Sequence, residues 1–255
     1  MDETDYATTI AAVIDAAAQG RGLSVTALAV HGLMTAHGDR EYRYCLNHLD
    51  LVVPDGQPLR WGLNLQYGSA LGDRVYGPKL MLLLCGAAQR HGLPVFFYGS
   101  TMPVLEALSR RMSQRFPALK IAGVECSKFR QISRLERAGI VERIRASGAK
   151  ITFVGLGCPR QEVFAFECRD LLQMPVLAVG AAFDYNAGLL DQPSDWIQDR
   201  GLQWLYRLCQ DPLRLWRRYL LLNPKFMMLL ALQVLKIHSP DPGHSIRPAS
   251  EARYG

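Results

Sequence analysis

The sequence predicts an α/β fold: a Rossmann-like, doubly wound and mostly parallel sheet, followed by a helical, basic and aromatic C-terminal appendage. Three observations predict it. Apolar, β-rich runs recur as PVFFYGS (94–100), LKIAGVE (119–125), KITFVGLG (150–157) and PVLAVGAAFD (175–184), with starts 25, 31 and 25 residues apart. Helical patterns such as VLEALSRRMSQRF and IVERIRASGA fill the intervals, which gives the strand–helix–strand rhythm of parallel pairing. The strands are apolar throughout, as strands covered on both faces are.

Two earlier strands complete the sheet. LSVTALAV (23–30) is the first, and LDLVVPDG (49–56) ends at a Pro-Asp-Gly turn. Near residue 195 the pattern changes. Residues 195–236 are aromatic, basic and helical, and between 200 and 225 Arg200, Arg207, Arg214, Arg217, Arg218 and Lys225 face only Asp211. The last stretch, SPDPGHSIRPASEARYG, has the Pro/Gly/Ser composition of a disordered tail. This divides the chain into a catalytic domain (1–194), an appendage (195–238) and a tail (239–255).

Composition narrows the function classes. The chain has 255 residues, is 49% hydrophobic and 20% charged, and so buries a core. Its net charge of +6 suggests anionic partners: nucleotides, phospholipids or nucleic acid. The six cysteines form no CxxC pair and read as buried or free thiols in a reducing compartment, not as a zinc site. The N-terminus MDETDYATTI is acidic and lacks the pattern of a signal peptide. No apolar run reaches the roughly 18 residues of a membrane-spanning helix.

The stretch FVGLGCPRQE (153–162) opens like a dinucleotide-binding turn and then departs from it. Gly155 and Gly157 permit a tight turn and close backbone approach, but Arg160 stands where a third glycine belongs. Pro159 suits a first helical turn, and Glu162 suits the positive end of the helix dipole. Gln161 offers neutral hydrogen bonds to hydroxyls or to a uracil-like ring. The turn therefore fits a sugar nucleotide better than a bare pyrophosphate, or it is simply a capped tight turn. Asp55, beside Gly56, is either a turn residue or a general base at a strand end that a substrate can approach. Arg74, in GDRVYGP, either pairs with Asp73 or faces a phosphate. Asp184, with Asn186 and Gly188, caps a loop or lines a ligand edge. There is no GxxxxGK[ST], HExxH, GxSxG or Asp-x-Asp in the chain.

Five ordered motifs resemble those of the WecG/TagA/CpsF family of bacterial glycosyltransferases, over roughly residues 23 to 226. They are PDG (54–56), RVYGP (74–78), VGLGCPRQE (154–162), GAAFDYNAG (180–188) and GLQWLYRLCQDPLRLWRRY (201–219). The resemblance implies inverting, metal-independent transfer of a sugar from a UDP-sugar to a polyprenyl-diphosphate-linked acceptor in cell-surface polysaccharide synthesis, with no cofactor. It implies an appendage that docks on an anionic membrane surface, and hence a cytoplasmic protein peripheral to the inner face of the plasma membrane. Asp55 matches the family's proposed base, and Arg74 and Gln161 match its active-site polar residues. Where many members carry Thr-x-Asn, this chain has Ala27-Leu28-Ala29, with Thr26 adjacent. Without a metal, cations must hold the departing diphosphate. Arg214, Arg217 and Arg218, spaced i, i+3, i+4, share a helical face and offer them, with Arg207 upstream; the alternative is a solvated basic face.

Two rivals stand beside this reading. A nucleotide-sugar dehydrogenase or epimerase needs the third glycine and an acidic residue about 20 positions on, whereas Asp170 lies 13 from Gly157. A lipid- or nucleic-acid-binding module fits the charge, but the apolar FMMLLALQVL beside the basic run favours a membrane interface over nucleic acid. A homo-oligomer is compatible with the sequence.

Overall fold

The computed structural model describes residues 1–237 and 245–248; the side chains of Asp195, Asp199 and Arg214 are outside what it describes. In chain order the elements are α1 (Tyr6–Gln19), β1 (Leu23–Leu28), α2 (Val30–Gly38), α3 (Arg40–Asn47), β2 (Leu51–Pro54), α4 (Gln57–Tyr67) and α5 (Gly77–Arg90). Then come β3 (Val95–Gly99), α6 (Met102–Arg115), β4 (Ile121–Glu125), α7 (Arg134–Ala146), β5 (Ile151–Gly155), α8 (Arg160–Leu172), β6 (Pro175–Ala178) and α9 (Ala182–Ala187). The C-terminal helices are α10 (Asp195–Asp199), α11 (Gln203–Gln210), α12 (Pro212–Trp216), a π-helical segment (Arg217–Leu222) and α13 (Asn223–Val234).

The six strands form one parallel sheet in the order β2-β1-β6-β5-β3-β4. Helices cover both faces, so the fold is doubly wound α/β. Alternate strand residues feed the two layers. Val95, Phe97, Ile151 and Phe153 join α1, α5, α6 and α9 on one side. Phe96, Tyr98, Val154 and Val176 join α3, α7 and α8 on the other. Burial on both sides is why these strands carry almost no polar residue.

Local signals set the helix ends. Asp5 caps α1 through Thr8 N (2.8 Å), and Ser133 and Glu136 form a reciprocal capping box on α7. Proline stands in the first turn of α4, α5 and α6, where a missing N–H costs nothing.

One sequence expectation changes. The run 175–184 is not a strand to its end: β6 stops at Ala178, and Gly180, at φ +55°, turns the chain into the short helix α9. The helix also continues through Asn223-Pro224-Lys225. Pro224 cannot donate to the preceding turn, and the chain answers with the π-helical segment before it while keeping helical dihedrals at Asn223. Inner residues Phe226 and Leu230 of α13 pack on Val30 and Met34 of α2 and on Leu59 of α4. The outer face exposes Leu213, Trp216, Leu220, Leu221, Met227 and Met228. Of the expected tail, 245–248 is described, with Ile246 N donating to Arg40 O (3.1 Å); the rest lies outside the described residues.

Candidate active site

In this topology the chain leaves β1 for β2 at one edge, while β6, the other neighbour of β1, is reached from the β3–β4–β5 half. Ligands of open α/β sheets bind beyond the carboxyl ends of the strands at such a reversal. Asp55 follows β2 there. Its N–H donates to Leu28 O at the end of β1 (2.9 Å), and the 73–77 loop docks alongside through Val75 N to Pro54 O (2.9 Å). That docking delivers Gly77, whose N–H donates to Asp55 Oδ1 at 3.1 Å. Asp55 thus stands at the positive end of α5.

Arg74 enters by the same loop. Asp73 accepts from the backbone N–H of Arg74 (2.7 Å), which leaves the buried guanidinium for the cleft. Its Nη1 donates to Asp55 O (3.3 Å), its Nη2 donates to Gln198 Oε1 (3.1 Å), and it lies 4.6 Å from the Tyr76 ring centre. Arg207 from α11 and Arg218 from the π-helical segment complete the cleft, over the rings of Tyr185 and Tyr219 respectively. Burial raises the pKa of Asp55 above the ordinary aspartate value of 3.8, against the opposing pull of Arg74, the Gly77 N–H, Arg207 and Arg218. Burial, with Arg207 nearby, lowers that of Arg218. Three guanidiniums against one carboxylate leave room for an anion. Among the described residues, no group of three or more His, Cys, Asp or Glu side chains is placed to hold a metal ion.

The other expected residues fall in three places. Gly56 lines the cleft as the N-cap of α4. Thr26, Gln161 and Glu162 line neither the cleft nor the groove beside it; they are 0%, 4% and 1% exposed and bond to one another. Glu162 Oε1 accepts from Thr26 Oγ1 (3.1 Å) and from Gln161 Nε2 (2.9 Å), and Gln161 Oε1 accepts from Gly157 N (3.2 Å). The chain of bonds ties β1 to the β5–α8 turn, and burial raises the pKa of Glu162. So the Gly157 N–H, which a phosphate loop would present to its ligand, is taken by Gln161. Gly155 is explained by packing, since a Cβ there would lie 2.6 Å from the Phe183 ring. Gly157, at φ +80°, faces open space.

Asp184 sits in α9, lining neither the Asp55 cleft nor the groove beside it. Arg217 points to solvent over Trp216, away from Arg218. Adjacent helical residues diverge by about 100°, so the cleft receives one of the pair. The Arg214 side chain is outside the described ones.

Sequence reasoning did not single out His31, Gln57, Tyr76, Tyr185 and Gln203 as site residues. Gln203 Nε2 donates to Tyr76 Oη (2.8 Å), which ties α11 to the 73–77 loop. His31 lines the cleft with its pKa lowered to about 4, by burial first and Arg218 second, and is neutral at neutral pH. His31 Nδ1 and Gln57 Oε1 are buried without a hydrogen-bond partner, a state proteins rarely leave uncompensated, and Tyr185 Oη has at most the Tyr76 hydroxyl beside it. No spacing in the sequence marks these residues.

The model of the glycosyl transferase WecG/TagA/CpsF family matches residues 1–240. The chain belongs to this family. It is a glycosyltransferase of cell-envelope polysaccharide synthesis, and the cleft at the sheet's reversal brings Asp55 together with Arg74, Arg207 and Arg218. No helix among the described residues is long and apolar enough to cross a membrane.

Proposed function

We propose that this glycosyltransferase moves a hexose or N-acetylhexosamine-type sugar from a UDP-sugar to a polyprenyl-diphosphate-linked saccharide, with inversion and without a metal. The observation that carries the reading is Asp55, half-buried on the helix α5 terminus and facing Arg74, Arg207 and Arg218. The Asp55 carboxylate takes the proton of an acceptor hydroxyl as that oxygen attacks the anomeric carbon. The bond from that carbon to UDP breaks on the opposite face, and its electron pair leaves with the diphosphate. Arg74, Arg207 and Arg218 hold the charge that develops there, fixed in place before it forms. Thr26, Gln161 and Glu162 support the site from within the fold, tying β1 to the β5–α8 turn.

Residues 195–238 serve as a docking appendage. The arginines of its inner side complete the cleft, while Leu213, Trp216, Leu220, Met227 and Met228 offer an apolar face to the membrane interface, with Arg217 and Lys225 beside it for anionic headgroups. That orientation brings a lipid-linked acceptor to Asp55 from the membrane side of a peripheral cytoplasmic protein. The test is an assay of the purified protein against a panel of UDP-sugars with a polyprenyl-diphosphate sugar acceptor, in EDTA, with the product's anomeric configuration read by NMR. Transfer with inversion supports the reading. Retention, or activity only on restoring Mg²⁺ or Mn²⁺, contradicts it.

A further inference from the structure

A groove of about 1090 Å³ opens beside the Asp55 cleft and shares Gln57, Arg74 and Tyr76 with it. The Asp55 cleft itself encloses only about 90 Å³, well below the several hundred Å³ of small-molecule sites. A substrate that reaches Asp55 must therefore extend beyond it. The groove runs between α5, α6 and α9. Its walls bring Lys79, Arg111 and Arg115 together with Arg74, against the carboxylates of Asp73 and Asp191. That excess of positive charge suits phosphate.

Two further observations point to a ligand rich in hydroxyls. Gln57 and Tyr185 both line the groove, and each is more than nine-tenths buried, at 6% and 5% exposure. Gln57 Oε1 nevertheless has no hydrogen-bond partner, and Tyr185 Oη has at most the Tyr76 hydroxyl beside it. An amide oxygen and a phenol with hydrogen-bonding capacity left unused beside an open groove are partners for ligand hydroxyls.

We propose that this groove binds the sugar-diphosphate portion of a substrate, with phosphates against Lys79, Arg111 and Arg115 and hydroxyls on Gln57 Oε1 and Tyr185 Oη. The inference rests on the glycosyltransferase reading, in which both substrates carry this chemistry: the donor as UDP-sugar, the acceptor as lipid-diphosphate sugar.

Calorimetric titration with two probes, UDP and farnesyl-diphosphate-linked glucose, tests it without requiring turnover. The proteins are the wild type, Tyr185→Phe and Lys79→Gln/Arg115→Gln. Tyr185→Phe removes one hydroxyl from the groove wall, so a ligand that uses it binds about five- to tenfold more weakly, and melting curves show that the variant is folded. The double variant keeps much of each stem and should weaken binding about tenfold or more. Weakening for UDP assigns the groove to the donor, and weakening for the farnesyl probe assigns it to the acceptor. Binding of both probes within twofold of wild type in both variants overturns the groove. A wild type that binds neither probe overturns the reading beneath it, and the groove with it.

Discussion

Glu162 offers a perturbation whose size follows from the structure. One buried oxygen, Oε1, accepts from Thr26 Oγ1 and from Gln161 Nε2, and Gln161 in turn holds the Gly157 N–H. Glu162→Leu fills similar space but accepts nothing, so two buried donors lose their partner. At about 1–3 kcal/mol for each unpaired buried group, the cost is about 2–6 kcal/mol, or a melting temperature lower by about 4–24 °C in a chain of this length. Glu162→Gln keeps the acceptor and should cost far less. The two variants also separate charge from geometry. The pKa of Glu162 in the folded protein is raised above its ordinary 4.5, so its proton stabilises the fold fully below 4.5. That stability is lost as pH rises from there through the folded pKa. Glu162→Gln cannot ionise. Its melting temperature relative to wild type should therefore climb between pH 4.5 and neutrality. Scanning calorimetry or fluorescence melts across that range make the measurement. A Gln variant as unstable as the Leu variant, or a wild-type-minus-Gln difference that is flat with pH, refutes the reasoning.

Other outcomes follow from the same geometry. Arg207→Ala and Arg218→Ala should each lower kcat about 10²- to 10³-fold on a soluble acceptor analogue with smaller changes in KM, as for other preorganised charge-stabilising groups, while Arg217→Ala, at the surface, should not. The raised pKa of Asp55 should place the acidic limb of the pH–rate profile above 3.8, with activity lost as pH falls through it; a limb at or below 3.8 contradicts its role as base. Leu220→Glu/Met228→Glu, on the outer face of the C-terminal helices, should release the protein from anionic vesicles in a co-sedimentation assay without lowering its melting temperature. Unchanged sedimentation would remove that face from membrane docking.

Much of the fold was legible because burial on both faces forces strands to be apolar, and proline and capping residues mark helix starts. Strand order was not, since every apolar strand can pair with any other; it comes from side-chain packing across the two helix layers. Asp55 and Arg74 stood out locally as polar residues set among turn prolines and glycines. Their meeting depends on the 73–77 loop docking on Pro54, which no local pattern encodes. The helical spacing of Arg214, Arg217 and Arg218 suggested one cluster, whereas tertiary packing of α13 on α2 and α4 fixes the rotation of the helix and turns Arg218 inward and Arg217 outward. The motif VGLGCPRQE drew attention for ligand binding, and its polar residues prove to bond first to one another. His31, Gln57 and Tyr185 carried no signal because their importance lies in hydrogen-bonding capacity left unused, which only three dimensions reveal.

The central claim is that Asp55 takes the acceptor's proton. Single-turnover transfer by Asp55→Asn, beside a titration of its UDP binding, tests it most directly. Asparagine keeps the size of the side chain and an oxygen to accept from Gly77 N–H but cannot take the proton. The account predicts a folded protein that binds UDP as wild type does and transfers sugar about 10²- to 10⁴-fold more slowly. Transfer at near wild-type rate would contradict it and put the base elsewhere.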